Sequence, residues 1–133
     1  MIVLDTHVWI WWVHAAPELS AESLGALDAA ASGGLGVSII SCWEVAKLVE
    51  YGRLRLPIEV EQWLQQSLAY PGVQLLDLTP RIVVESTQLP PPFHRDPADQ
   101  LIVATARVHG VPVATADDKI IAYPHVEILR SGR

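Results

Sequence analysis

Met1-Ile-Val-Leu-Asp5-Thr-His7 opens the chain, and the change of character at position 5 decides how the rest is read. Ile2–Leu4 is an unbroken apolar run containing β-branched residues. That pattern fits a strand covered on both faces, since a half-exposed strand would alternate. Asp5 then closes the strand, and His7–His14 continues as a short helix that is apolar on all sides. An acid at the end of a buried strand has few low-cost explanations, because aspartate is rarely buried without a partner. Capping the helix is one of them, although Thr6 is equally placed to do it.

The same alternation runs outward from this segment. Further strands are predicted at Gly36–Ile39, Val73–Leu76, Val111–Ala114 and Val126–Leu129. Helices are predicted at Ala21–Ala31 with Ser20 as N-cap, Trp43–Tyr51, Ile58–Leu68, Arg81–Thr87 and Pro97–Val108, with a short turn after Asp117. Gly33-Gly34, Pro71-Gly72, Pro90–Pro92 and Gly110 mark the boundaries. Strands alternating with helices imply an α/β fold, a parallel sheet with helices on both faces. The 133 residues suit one domain, 1–133, with no internal repeat, low-complexity tract or linker.

Three more acids stand where Asp5 does, near a strand end or a helix start: Glu44, Asp99 and Asp117. In an open parallel sheet such positions converge at the carboxyl ends of the strands, where ligands bind. Carboxylates gathered there repel one another unless a cation neutralises them. Oxygen-only ligation selects Mg²⁺ or Mn²⁺, the ions suited to phosphate substrates, so the pattern points to a metal-dependent phosphodiester enzyme. Each acid also has a structural reading. Ser41-x-x-Glu44 matches a capping box. Asp96 is a natural N-cap with Pro97 at the first helical position, and Asp99 then falls where the helix dipole favours negative charge. Asp118 reads as a cap or a solvated acid.

Leu4-Asp-Thr-His7, Val37-Ser-Ile-Ile-Ser-Cys-Trp-Glu-Val-Ala46, Asp96-Pro-Ala-Asp99 and Ala114-Thr-Ala-Asp117, in this order and at these separations, resemble the PIN-domain ribonucleases. The likeness is in particular to the toxin component of VapBC-type toxin–antitoxin pairs. It covers essentially the whole chain and implies strand order 3-2-1-4-5, which makes the strands ending at Asp5 and Asp117 neighbours. It implies Asp5, Glu44, Asp99 and Asp117 as the catalytic set, with Asp5, Asp99 and Asp117 holding Mg²⁺ or Mn²⁺. Asp96, Thr6 and Thr115 are possible additions, Thr115 through a small-hydroxyl-x-Asp pattern. It further implies an RNA substrate and a cognate antitoxin encoded beside the gene, and a homodimer is expected.

Composition agrees with a folded domain: half the residues are hydrophobic and 18% are charged. The longest apolar stretch, Val8–Val13, is too short to span a bilayer, and Asp5 with no basic leader does not read as a signal peptide. One cysteine, Cys42, makes no internal disulfide, so the cytoplasm is expected. A net charge of −6 runs against nucleic-acid binding, though part of it is the acid set itself, and Lys47, Arg53, Arg55 and Arg95 offer a local basic rim. The five histidines lack zinc spacing; His7 lies near the site, where a structural role is expected.

Two other classes compete. A phosphatase of the haloacid-dehalogenase type needs a second aspartate at position 7, which is His, whereas a receiver domain would use Asp77 and want a lysine where Arg130 stands. A PIN-fold binding module without catalysis would use the acids only as caps. Trp9, Trp11 and Trp12 are too many for one face of a helix, which suggests cover on its outer side by a partner or a dimer mate.

Overall fold

The computed structural model describes residues 1–133. The chain runs β1 (Ile2–Leu4), α1 (Thr6–His14), α2 (Ala21–Ala30), β2 (Leu35–Ser38), α3 (Ile39–Glu50), α4 (Val60–Leu68), β3 (Val73–Leu76), α5 (Pro80–Ser86), α6 (Pro97–His109), β4 (Val113–Thr115), α7 (Asp118–Ile121) and β5 (Ile128–Arg130). All five strands are parallel in the order β3-β2-β1-β4-β5. Strands β1 and β4 are therefore neighbours, in register Val3↔Val113 and Leu4↔Ala114.

Alternate residues of the central strands feed separate cores, as a pleated sheet requires. Leu4, Leu35, Val37 and Ala114 pack with Val8 and Trp9 of α1, Leu27 of α2, Val45 of α3 and Trp63 of α4. Val3 and Val113 turn the other way, onto Ile102, Val103 and Ala106 of α6, Ile120 of α7, and Tyr123. Each fully buried aliphatic or aromatic side chain contributes about 1.5–3 kcal/mol. Gly36 is required by close approach: a Cβ there would stand 2.6 Å from Leu76 Cδ1 on the next strand. Gly110 ends α6 at φ 65°, its amide donating back to Ala106 and Arg107 carbonyls.

The largest boundary difference lies after β2. The expected strand Gly36–Ile39 runs one residue too far, because Ser38 Oγ accepts from the Ile40 amide at 3.2 Å and starts α3 four residues before the expected Trp43. The tryptophan-rich helix is also resolved. Trp9 is fully buried against Trp63, ring centroids 5.1 Å apart. Trp12 donates to Asp28 Oδ1 at 2.9 Å and meets Tyr70 edge-on, while Trp11 reaches the acidic cleft. Much of the cover on α1 is thus intramolecular, supplied by α2 and α4. The large exposed aromatics lie elsewhere, with Trp43 at 55% and Tyr51 at 66%.

Candidate active site

Parallel pairing sends every strand's carboxyl end to one edge, and α1, α3 and α7 start there directly after β1, β2 and β4. Helix α6 runs back along the sheet before β4, so its first turn reaches the same edge. Asp5, Glu44, Asp96, Asp99 and Asp117 line one open cleft of about 290 Å³, with His7, Trp11 and Ala116 completing the wall. The structure brings together all four acids of the expected set, and Asp96 with them.

Asp5 is 6% exposed and has two duties. Its Oδ1 accepts from the Thr6 amide at 2.8 Å, capping α1, and its Oδ2 accepts from the Thr115 hydroxyl at 2.8 Å. Thr115 in turn accepts from the Asp117 amide at 3.0 Å, tying the ends of β1 and β4 together. Asp117 Oδ1 accepts from the Lys119 amide at 2.9 Å and caps α7. Thr6 leaves the capping to Asp5. Its hydroxyl lies 2.5 Å from Glu44 Oε1 and 2.8 Å from Ser41 Oγ.

That geometry removes the capping-box reading of Ser41-x-x-Glu44. The N-cap is Ser38, so Glu44 lies in the second turn of α3, and Ser41 is buried beneath it against Thr6. Asp96 and Asp99 separate as well. Asp96 is exposed and caps α6, its Oδ1 accepting from the Asp99 amide at 3.0 Å. Asp99 is more enclosed and accepts a 2.6 Å hydrogen bond from His94 Nε2. Sequence reading missed His94 because it lies in the irregular stretch before α6, where periodicity says nothing about direction. Asp77, the acid a receiver domain would use, is exposed beyond the edge strand β3 and lies outside the cleft.

Burial and mutual repulsion show in the protonation of these acids. Desolvation pushes Glu44 up to about 7, helped by Asp5, Asp99 and Asp96, and opposed by the Thr6 hydrogen bond. Desolvation raises Asp99 to about 6 against the His94 hydrogen bond, with Asp5 and Asp96 adding repulsion. Asp5 is raised as well, chiefly by burial. Between the ordinary carboxylate range near pH 4 and about pH 7 the folded chain therefore holds more protons than the unfolded chain. Stability falls as pH rises through a window where native protons outnumber unfolded ones. The metal-free protein should accordingly melt at higher temperature at pH 5 than at pH 7.5, as thermal unfolding in chelator would show. The opposite order would mean that the acids do not repel as described.

The donor set is oxygen alone, which suits hard cations. No three His, Cys, Asp or Glu side chains close into a ready-made cage. Mg²⁺ does not ask for one, since it keeps several waters and is held through one or two carboxylates with substrate phosphate. Asp5, Asp99 and Asp117 line the cleft with oxygen donors of the kind that could hold such an ion.

The molecule is an α/β domain whose parallel sheet gathers carboxylates at the starts of α1, α6 and α7. The chain belongs to the PIN domain family, whose pattern it matches over residues 2–126. It is 37% identical over 124 residues to Ribonuclease VapC22 of Mycobacterium tuberculosis, covering 93% of this chain and 92% of that protein. Among solved structures it resembles FitAcB from Neisseria gonorrhoeae (TM-score 0.67, 25% identity, 98% of this chain and 97% of that one). It also matches VapBC2 from Rickettsia felis bound to a promoter DNA fragment (TM-score 0.73, 98% and 99% covered), where 16% identity marks a shared fold. No helix is long and apolar enough to cross a membrane.

Proposed function

We propose that this protein is a Mg²⁺- or Mn²⁺-dependent endoribonuclease, the toxin of a type II toxin–antitoxin pair. The observation that carries the reading is the convergence of Asp5, Glu44, Asp99 and Asp117 on one cleft, in a chain 37% identical to a ribonuclease. When bound, the cation lowers the pKa of water and stabilises charge on the leaving oxygen. Asp5, Asp99 and Asp117 would hold it, and Thr115 keeps the Asp5 and Asp117 ends of the site in register. Glu44 lines the same cleft with its Oε1 accepting from the Thr6 hydroxyl, and would complete the catalytic set through the cation or its bound water. Water attack leaves a 5′-phosphate and a 3′-hydroxyl.

RNA as the substrate is supported by the rim. Trp43 stands beside Glu44, and the Lys47 ammonium lies 5.8 Å from its ring centre and 5.4 Å from that of Tyr51, an aromatic–cation–aromatic row along α3 and its C-cap. The groove walled by Ile40, Trp43 and Pro97 shares Glu44 and Asp96 with the cleft, so a strand leaving the acids meets an aromatic face. Base–aromatic stacking is worth about 1–3 kcal/mol per base. Trp43→Ala should therefore raise KM for single-stranded RNA by about 5- to 100-fold while Mn²⁺ affinity stays unchanged. An unchanged KM, with loss of self-association instead, would assign this face to a protein contact.

The VapBC complexes among the structural neighbours support a cognate antitoxin as partner. A basic side chain from that partner, placed among the carboxylates, would block the site by charge pairing. A homodimer working in the cytoplasm completes the proposal; exposed Val83 and Val84 on α5 give an apolar face for self-association. Sedimentation of the isolated chain tests it. Calorimetric titration with Mn²⁺ and cleavage of a labelled single-stranded RNA test the catalytic reading. Metal binding without cleavage would favour a binding module.

A further inference from the structure

The segment between α5 and α6 is anchored at several points, although it has no regular structure. Phe93 meets the Tyr123 ring at 4.6 Å and 61°, and the Tyr123 hydroxyl donates to the Pro90 carbonyl at 2.6 Å. The His94 ring packs against Phe93 with centroids 4.4 Å apart, and its carbonyl accepts from Gln100 Nε2 at 3.1 Å. Held at both ends, the imidazole points its Nε2 at Asp99 Oδ2, 2.6 Å away, with side-chain exposures of 22% and 16%. The other carboxylate oxygen, Oδ1, has no protein hydrogen bond, and Asp99 lines the cleft. A surface histidine would wander among rotamers, but this one is fixed by packing and aimed.

We propose that His94 is a positioning residue for the metal site: its Nε2–H holds Asp99 Oδ2 so that Oδ1 is presented to a divalent cation. The inference rests on the metal-dependent reading of the cleft. Two torsions orient an aspartate side chain, and without a donor the Asp99 carboxylate would swing away from Asp5 and Asp96, with which it shares the cleft. Hydrogen-bond partners of ligating groups typically account for about 10- to 100-fold in metal affinity. His94 is placed to hold Asp99 in its ligating orientation against that repulsion.

The test compares His94→Leu and His94→Ala, which lack the donor, with His94→Gln, whose amide nitrogen reaches a similar position. Mn²⁺ binding to the full-length chain is measured by calorimetry without RNA, alongside thermal unfolding in chelator. Wild-type affinity should fall by about 10- to 100-fold in the Leu and Ala variants and return to within a few-fold in Gln. RNA cleavage by the Leu variant should recover as Mn²⁺ is raised, which a general loss of structure would not allow. Wild-type affinity in the Leu variant, or a loss in Gln as large as in Leu, overturns the proposal. So does a case in which only Gln folds, since the bond would then serve the fold and not the metal. If the wild type itself binds no Mn²⁺, the metal reading of the whole cleft fails first, and that result is distinct from all of these.

Discussion

Asp5→Asn is expected to lower RNA cleavage by about 10³-fold or more, since a bound metal supplies several kcal/mol at the transition state. The change keeps the shape of the side chain and removes one charge at the point where the cleft is most enclosed. Asparagine caps helices as well as aspartate does, so the hydrogen bond from the Thr6 amide survives. The Thr115 hydroxyl, which donates to Asp5 Oδ2, can accept from the new amide instead. Repulsion toward Asp117 disappears. Without metal the variant should therefore melt no lower than the wild type. Mn²⁺ bound only to the folded state should raise the wild-type melting temperature, and Asp5→Asn should lose most of that rise. Asp96→Ala is the contrasting case: it removes the cap of α6 at a cost of about 1 kcal/mol and should leave most of the cleavage intact. Differential scanning fluorimetry and single-turnover cleavage read both effects. An Asp5→Asn variant that cleaves at the wild-type rate would remove Asp5 from the site.

Growth arrest is the second expected result. Wild-type protein expressed alone in a bacterial host should stop growth, and Asp5→Asn at the same soluble level should not. Co-expression of the cognate antitoxin should restore growth by closing the acid cleft. The comparison isolates catalysis, because the two chains differ by one amide inside the cleft and share the fold and the outer surface. Equal growth of the two at matched levels would separate the PIN fold from the toxin role. Cleavage in vitro would then need another explanation in the cell.

How far the residues revealed this molecule depended on how local the signal was. The strand–acid–helix pattern at Ile2–Thr6 made both the parallel sheet and the cleft legible, because burial on two faces and a polar end are properties of a few adjacent residues. Strand order was beyond periodicity, since pairing is a long-range choice; it came from resemblance, and β3-β2-β1-β4-β5 agrees with it. Glu44 was ambiguous because a capping box depends on which residue starts the helix, and Ile39-Ile40 hid a start set by Ser38. His94 was invisible, since its direction is fixed by Phe93, Tyr123 and Pro90 and not by its neighbours' types. The three tryptophans of α1 suggested an outside partner, but Trp63, Asp28 and Tyr70 supply much of their cover from within the chain.

Asp5 and Asp117 cap the helices that follow them, and asparagine fills such a position equally well. An aspartate codon becomes an asparagine codon through one base change. If the acids act as proposed, a lineage burdened by this gene has very short escape routes that should leave a folded but inert chain behind. Silenced copies that retain the fold and the partner's docking surface should accumulate wherever the gene is propagated without its antidote. Such copies would still bind the antidote and compete with the active form for it. The first suppressors of toxicity recovered in a selection should thus include Asn at positions 5 and 117 as well as truncations.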